Sequence, residues 1–433
     1  MMRGARPLCV LALAAAAAAG HAQEFKFDAA AFERKTFEFT GYAELKREHI
    51  PLNRDGAFYK LNFYNKAQRE SIDRSVVTLK PQGKLRLGEN STVNLRAHLD
   101  VQRDSLSESH TSRFDEAYWS YKPAPGFTLD AGKSAVKWGK GYAWNPVGFV
   151  ERLKDPNDPE LAREGFTALS ADFIRNFDGP LQTVAFTPLI LPVSRGINSD
   201  FGAPGHVNVA GKLYLLYRDT DIDFMFLNGG SRTRRFGFDF SRNLGSSLEI
   251  HGEWARTQKV ARPVTDARGN VTQSQANATS YLAGMRYLSE MDTTYFLEYY
   301  RNGAGYEQEQ SADFYDFVDR GVAQFNANGS SALLQKASNL SQGAYGRPNS
   351  GRNYLYFRAS QKEPFDILYF SQSVTVIQNL DDGSRSLVPE VLYTGFTNIE
   401  LRARAFFLTS GGSTEFGEKQ NSRRIELLAR FYF

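Results

Sequence analysis

From Thr36 to the last residue, polar and apolar side chains alternate with a period of two, segment after segment. Phe37, Phe39, Gly41, Ala43 and Leu45 are interleaved with Glu38, Thr40, Tyr42, Glu44 and Lys46. Val93, Leu95, Ala97, Leu99 and Val101 are interleaved with Asn94, Arg96, His98, Asp100 and Gln102. Phe236, Phe238 and Phe240 repeat the pattern, as do Leu401, Ala403, Ala405 and Phe407. An amphipathic helix spaces its apolar residues three and four apart; these segments space them as one face of a β-strand does. Past residue 22 no apolar run approaches the ~20 residues of a membrane helix. The longest are Leu189–Val193, broken by Pro192, and Leu213–Tyr217.

The connections between these segments alternate in length. Short, turn-rich links such as 88–91, 123–126, 176–179, 219–221, 243–246, 289–292 and 362–364 are separated by longer polar stretches at 48–71, 103–112, 139–165, 191–207, 260–277, 303–350, 380–386 and 410–421. The pattern predicts about 18 strands, from 36–47 to 422–433, an even number that leaves both ends of the sheet on one side. Three strands carry a proline, which removes a ladder donor. In 72–87, Pro81 calls for a bulge. Pro188 of 181–190 and Pro389 of 387–396 are expected at strand ends. Loss of one hairpin leaves 16 strands. The stretch 303–350 reads either as a mobile loop or as a loop holding a short helix around Tyr315 to Gln324.

Composition agrees with an all-β chain whose two strand faces meet different solvents. The sequence has 33 Phe and 21 Tyr, yet its mean hydropathy is −0.44. Residues 1–22 have the three parts of a secretory signal peptide: Arg3 and Arg6, the apolar Leu11–Ala19, and the small residues around His21. Removing them takes away the single cysteine, Cys9, and leaves 50 basic against 48 acidic residues. Disulfides are therefore excluded from the remaining chain, and bulk charge gives no support to a nucleic-acid partner. Residues 23–35 form a short lead-in, and 36–433 the sheet.

In the final segment Ile425, Leu427, Ala429, Phe431 and Phe433 alternate with Glu426, Leu428, Arg430 and Tyr432. An alternating last strand closed by Phe431 and Phe433 resembles the assembly signal of Gram-negative outer-membrane proteins. The whole organisation resembles that of general-diffusion and substrate-selective porins and of alginate-export channels. The resemblance implies a closed antiparallel transmembrane β-barrel with short periplasmic turns and long external loops. It also implies a channel for small solutes, anions among them, or alternatively a barrel for polymer export or for binding through its loops. The implied partners are outer-membrane lipid, lipopolysaccharide, the barrel-assembly machinery and the solutes themselves, with no cofactor.

Two sets of residues are candidates for the interior. By parity, Arg74, Lys80, Lys84, Arg86, Arg96, Arg402, Arg404, Arg424 and Arg430 face inward on strands that are neighbours once the barrel closes. They read either as a basic wall that attracts anions or as a solvated face paired with Glu38, Glu44, Asp100, Glu400 and Glu426. The stretch 139–165, rich in proline and aromatics, is expected to be ordered. It either folds into the lumen, with Lys140, Tyr142, Trp144, Arg152, Lys154, Asp155, Asp158, Glu160 and Arg163 narrowing the pore, or caps the outside. Its Asp155–Glu160 run offers oxygen ligands but lacks the central glycine and spacing of a calcium loop. His49, His98, His110, His206 and His251 form no metal-spaced pair, and no Gly-x-Ser-x-Gly occurs, so the sequence points to no enzyme. Aromatics near strand ends, Trp119, Tyr121, Tyr295, Tyr299 and Tyr432, are expected in interfacial girdles.

Overall fold

The computed structural model describes residues 35–161 and 163–433. The expected signal peptide and nearly all of the lead-in lie outside the described residues. Eighteen antiparallel strands, β1 (Phe37–Pro51) to β18 (Arg423–Tyr432), each pair with their neighbours in sequence, and β1 pairs with β18 to close the ring. The seam runs from Tyr42 opposite Tyr432 to His49 opposite Ile425. A closed ring leaves no edge whose N–H and C=O groups face lipid unpaired, which is the condition for spanning a bilayer with strands. No helix among the described residues is long and apolar enough to cross.

Alternation places the side chains as parity requires. Phe39, Leu45, Val77, Leu95, Phe173, Phe224, Leu401 and Leu427 all project outward, each more than a third exposed. A water-soluble surface does not carry so continuous an apolar band; a lipid-facing one does. The stacked pair Trp119 and Tyr121 and the pair Tyr287 and Tyr295 lie on this outer face near the short turns. Tyr432 does not join them. Its hydroxyl donates to Glu400 at 2.8 Å, because two residues of strand separate it from the inward Arg430.

All three prolines sit inside strands, and none shifts the register. On either side of Pro81, Leu79 faces Leu99 and Gln82 faces Arg96, with only Lys80 and Pro81 dropping out of the ladder. Pro188 and Pro389 are not at strand ends as expected: β7 (Leu181–Val193) and β16 (Arg385–Phe396) run through them, with similar gaps on one side. A two-residue gap in one ladder removes the lost donor's partner without turning the strand over.

Eight connections gather at one end, most of them tight turns, and the other nine, which include all the long ones, at the other. Two stretches expected as loops are largely strand. β3 (Ser91–Asp104) and β4 (Glu108–Ala124) leave only 105–107 between them, and β11 (Leu248–Thr265) and β12 (Val271–Leu288) leave only 266–270. Beyond the bilayer both faces of a hairpin are wet, so the apolar alternation that marks a strand disappears while the ladder continues.

The stretch 303–350 is helical. α2 (Gln308–Asn328) starts with a capping box between Glu307 and Gln310 and ends at Gly329 in the left-handed region, φ 74°. It packs with α1 (Ala57–Phe63) and α3 (Ala332–Leu340) around Phe314, Phe317, Val318 and Leu334. The Phe314 ring stacks on Tyr345 at 4.3 Å. Phe314→Ala removes the centre of this cluster, at about 3–5 kcal/mol. Limited proteolysis should then cut within 303–350 while the barrel stays intact; equal resistance to protease would contradict the packing.

Candidate functional site

The nine basic positions face the interior of β2 (Ser71–Leu87), β3, β17 (Ile399–Thr409) and β18, which flank the seam strand β1. They run along the height of the wall and are laced to carboxylates. Arg86 meets Glu38 at 2.6 Å and Arg430 meets Glu44 at 2.6 Å. Lys80 lies 3.1 Å from Asp115, Arg96 3.2 Å from Glu116, Arg402 2.8 Å from Glu400 and Arg404 2.6 Å from Glu426. Arg74 and Arg424 share Glu48, each at 3.5 Å. Among the described residues only Lys84 of the nine has no carboxylate within 4.0 Å. Of the carboxylates expected as partners, Asp100 instead accepts from Thr78 at 2.5 Å.

The opposite wall has the other sign. Asp223, Asp239, Glu253 and Glu298, on β9 (Thr220–Asn228), β10 (Arg235–Leu244), β11 and β13 (Thr293–Arg301), are buried and face inward. The segment 135–165 docks on them. Lys140 reaches Asp223 at 2.9 Å. Glu253 accepts the backbone N–H of Gly141 at 2.6 Å and of Val147 at 3.3 Å. Glu298 accepts the N–H of Tyr142 and, at 2.9 Å, that of Ala143. The carboxylates thus do for the segment what a neighbouring strand would do, by satisfying backbone donors that are shut off from water. Gly139, at φ +95°, has no room for a side chain: a Cβ there would lie 2.7 Å from the Glu253 carboxylate.

Apolar contacts hold the same segment. Trp138, Val147, Phe149 and Val150 are buried against Phe166, Leu189, Leu191, Met225 and Leu227. Trp144 stacks on Tyr300 at 5.1 Å, and Tyr142 stacks on Phe296 at 3.9 Å. The remaining candidates divide by role. Arg163 pairs with Glu151 at 2.6 Å and Lys154 donates to the carbonyls of Gly141 and Tyr142, so these two tie the segment to itself; Arg152 pairs with Glu164 at 3.2 Å and also with Asp200 of the next long connection. Glu160 accepts from the Tyr142 hydroxyl at 3.1 Å, and Asp155 caps Asn157 at 2.9 Å. Asp158 crosses to the basic wall, 3.6 Å from Arg404 and 3.8 Å from Arg402, where Arg404 also donates to the Asn157 carbonyl at 3.5 Å and Arg96 to the Arg163 carbonyl at 3.3 Å. Burial pushes the Asp158 carboxyl up despite the two arginines, and burial lowers Lys154.

Because the segment leans on the acidic wall, the open space lies along the basic one. A cavity of 960 Å³ is lined by Lys80, Arg96, Arg286, Arg358, Lys362, Arg402 and Arg430 and by only four acids, Asp158, Glu160, Glu390 and Glu400. It shares Arg96 and Pro159–Leu161 with a second cavity of 330 Å³, which shares Asn145 and Lys154 with a third of 230 Å³ towards the long loops. The anchoring carboxylates were not among the sequence candidates. An inward acid looks alike whether it meets water, a cation or a loop backbone; only the run of inward acids at Asp221, Asp223, Asp239, Glu249 and Glu253 signalled that one wall is acidic.

The chain matches no known family profile and no curated protein sequence. Among solved structures it is similar to OccK5 (OpdH) of Pseudomonas aeruginosa, with a TM-score of 0.52 at 10% identity over 92% of this chain and 98% of that one. Variants of the Rhodopseudomonas blastica porin align over 92% of this chain and all of theirs at 10–11% identity, with TM-scores of 0.44–0.45. Ring closure, the outward apolar band and the likeness to OccK5 together show the fold of this chain to be a closed, eighteen-stranded transmembrane β-barrel.

Proposed function

We infer that the protein is an outer-membrane channel for small solutes that favours anions and is narrowed by the segment 135–165. The carrying observation is the lining of the 960 Å³ cavity, seven basic side chains against four acidic. Most of the wall's cations are ion-paired, so selectivity rests on this local excess rather than on each arginine. A passage between low-dielectric walls focuses such an excess and raises the local concentration of anions. The packed interior speaks against a wide conduit for a polymer. Phe431 and Phe433 suit presentation of the last strand to the assembly machinery, and the long connections suit a surface that meets lipopolysaccharide.

The test is a reversal potential across a planar bilayer under a potassium chloride gradient. The wild-type channel should be anion-selective. Substituting Arg402, Arg404 and Arg430 together by glutamine should move the potential towards, or past, zero, because Glu44, Glu400 and Glu426 then lose their arginine partners. An unchanged potential would remove the basic wall from the account. No ionic conductance at all would favour a barrel that acts through its external loops.

A further inference from the structure

The third cavity, 230 Å³ at the external side, has a lining unlike the other two: it contains Lys154, Arg262 and Arg347 and no acidic residue. None of the three is spent on a carboxylate of that lining. Lys154 donates to the carbonyls of Gly141 and Tyr142. Arg262 donates to the carbonyls of Ala304 and Gly305 and lies 5.3 Å from the Tyr306 ring. Arg347 is exposed. Glu253, Glu151 and Glu298, whose charge reaches Lys154, are buried outside this lining and held by backbone donors, by Arg163 and by His251. Beside these cations stand the indole of Trp144 and the side chain of Leu153, 81% exposed although it projects from a segment packed inside the barrel. An apolar side chain left in water beside cations that meet no carboxylate within the pocket is the arrangement of a site that binds a molecule with both characters. Its volume is below the ~300–1,000 Å³ of pockets for drug-sized ligands.

We propose that this pocket binds a small carboxylate that carries an apolar body, with Arg262, Arg347 and Lys154 taking the carboxylate and Leu153 and Trp144 the body, before the solute passes the segment 135–165. The proposal rests on the channel reading for its direction of passage, not for the binding itself. The probes are hexanoate, acetate and hexanol, titrated into the purified full-length protein and followed by tryptophan fluorescence, with Trp144→Phe to identify the responding indole. Hexanoate should bind at least about tenfold more tightly than acetate, well within what burying four further methylenes supplies, and hexanol should produce no saturable change. Arg262→Ala with Arg347→Ala should weaken hexanoate at least about tenfold, as expected for losing charge-assisted hydrogen bonds, and Arg347→Lys should recover part of the loss. Hexanoate binding no better than acetate, or binding indifferent to the double substitution, would overturn the proposal. Anion-selective conductance without hexanoate binding sinks the pocket and leaves the channel. Hexanoate binding to a protein that conducts nothing supports the pocket and sinks the channel.

Discussion

Replacing Glu253 and Glu298 together by leucine should raise the single-channel conductance and make it noisy, while the barrel itself stays folded. Four backbone N–H groups, those of Gly141, Tyr142, Ala143 and Val147, donate to these two carboxylates. Each buried donor left without a partner costs about 1–3 kcal/mol, so the docked segment loses on the order of 4 kcal/mol or more. A loss of that size changes the ratio of docked to undocked segment about a thousandfold, since 1.4 kcal/mol is tenfold. The strand ladders do not depend on either side chain, so heat-modifiable migration on a gel should survive. Each single variant should give part of the effect, and Glu298→Leu should also free His251, whose Nε2 lies 2.9 Å from that carboxylate. Recordings identical to wild type would mean that the segment does not set the width of the passage.

Removing Phe431, Tyr432 and Phe433 should have the largest effect on assembly. Gly41 and Phe433 exchange both backbone hydrogen bonds, at 2.9 and 3.0 Å, and Tyr432 and Phe431 oppose Tyr42 and Ala43 across the seam. The truncation exposes the start of β1 at the bilayer, where each unsatisfied group costs several kcal/mol. It also takes the Tyr432 hydroxyl from Glu400 and the Phe433 ring from Phe39, 5.6 Å away between centroids. Membrane fractions should contain little or no compact, heat-modifiable protein. A truncated chain that reaches the membrane and migrates as wild type would contradict the seam as the closing contact.

What was legible in the sequence followed from solvent contrast. Where a strand has lipid on one side and water on the other, as in Val93–Val101 or Leu401–Phe407, the alternation gives its extent and its inward face, and with it the placement of Arg96, Arg402 and Arg404. Where that contrast ends, so does the signal: Glu108–Thr111 and Val271–Asn277 are strand in a purely polar setting. The prolines misled for a related reason. Sequence reports the missing donor at Pro188 but not that a two-residue gap on one side absorbs it. In 303–350 the spacing of Phe314, Phe317, Val318 and Gly321 is helical and was readable, yet the partners that stabilise the helix, Phe58 and Leu61 of α1 and Tyr345, come from other parts of the chain. For the interior, parity grouped the basic residues on neighbouring strands, while the acidic wall opposite them was not read. Which carboxylates meet arginines and which hold the backbone of 135–165 depends on distances between strands remote in sequence, and those exist only once the ring is closed.

Because the sequence holds no cysteine other than Cys9, single introduced thiols can map the passage. Ser373 lines the 960 Å³ cavity on the side the segment leaves free, whereas Val77 points outward and is 52% exposed. In a bilayer, a small anionic thiol reagent added to Ser373→Cys should cut the conductance, and the same reagent should leave Val77→Cys unchanged. Ser373→Cys channels that conduct undiminished after confirmed modification would show that ions do not travel along the basic wall.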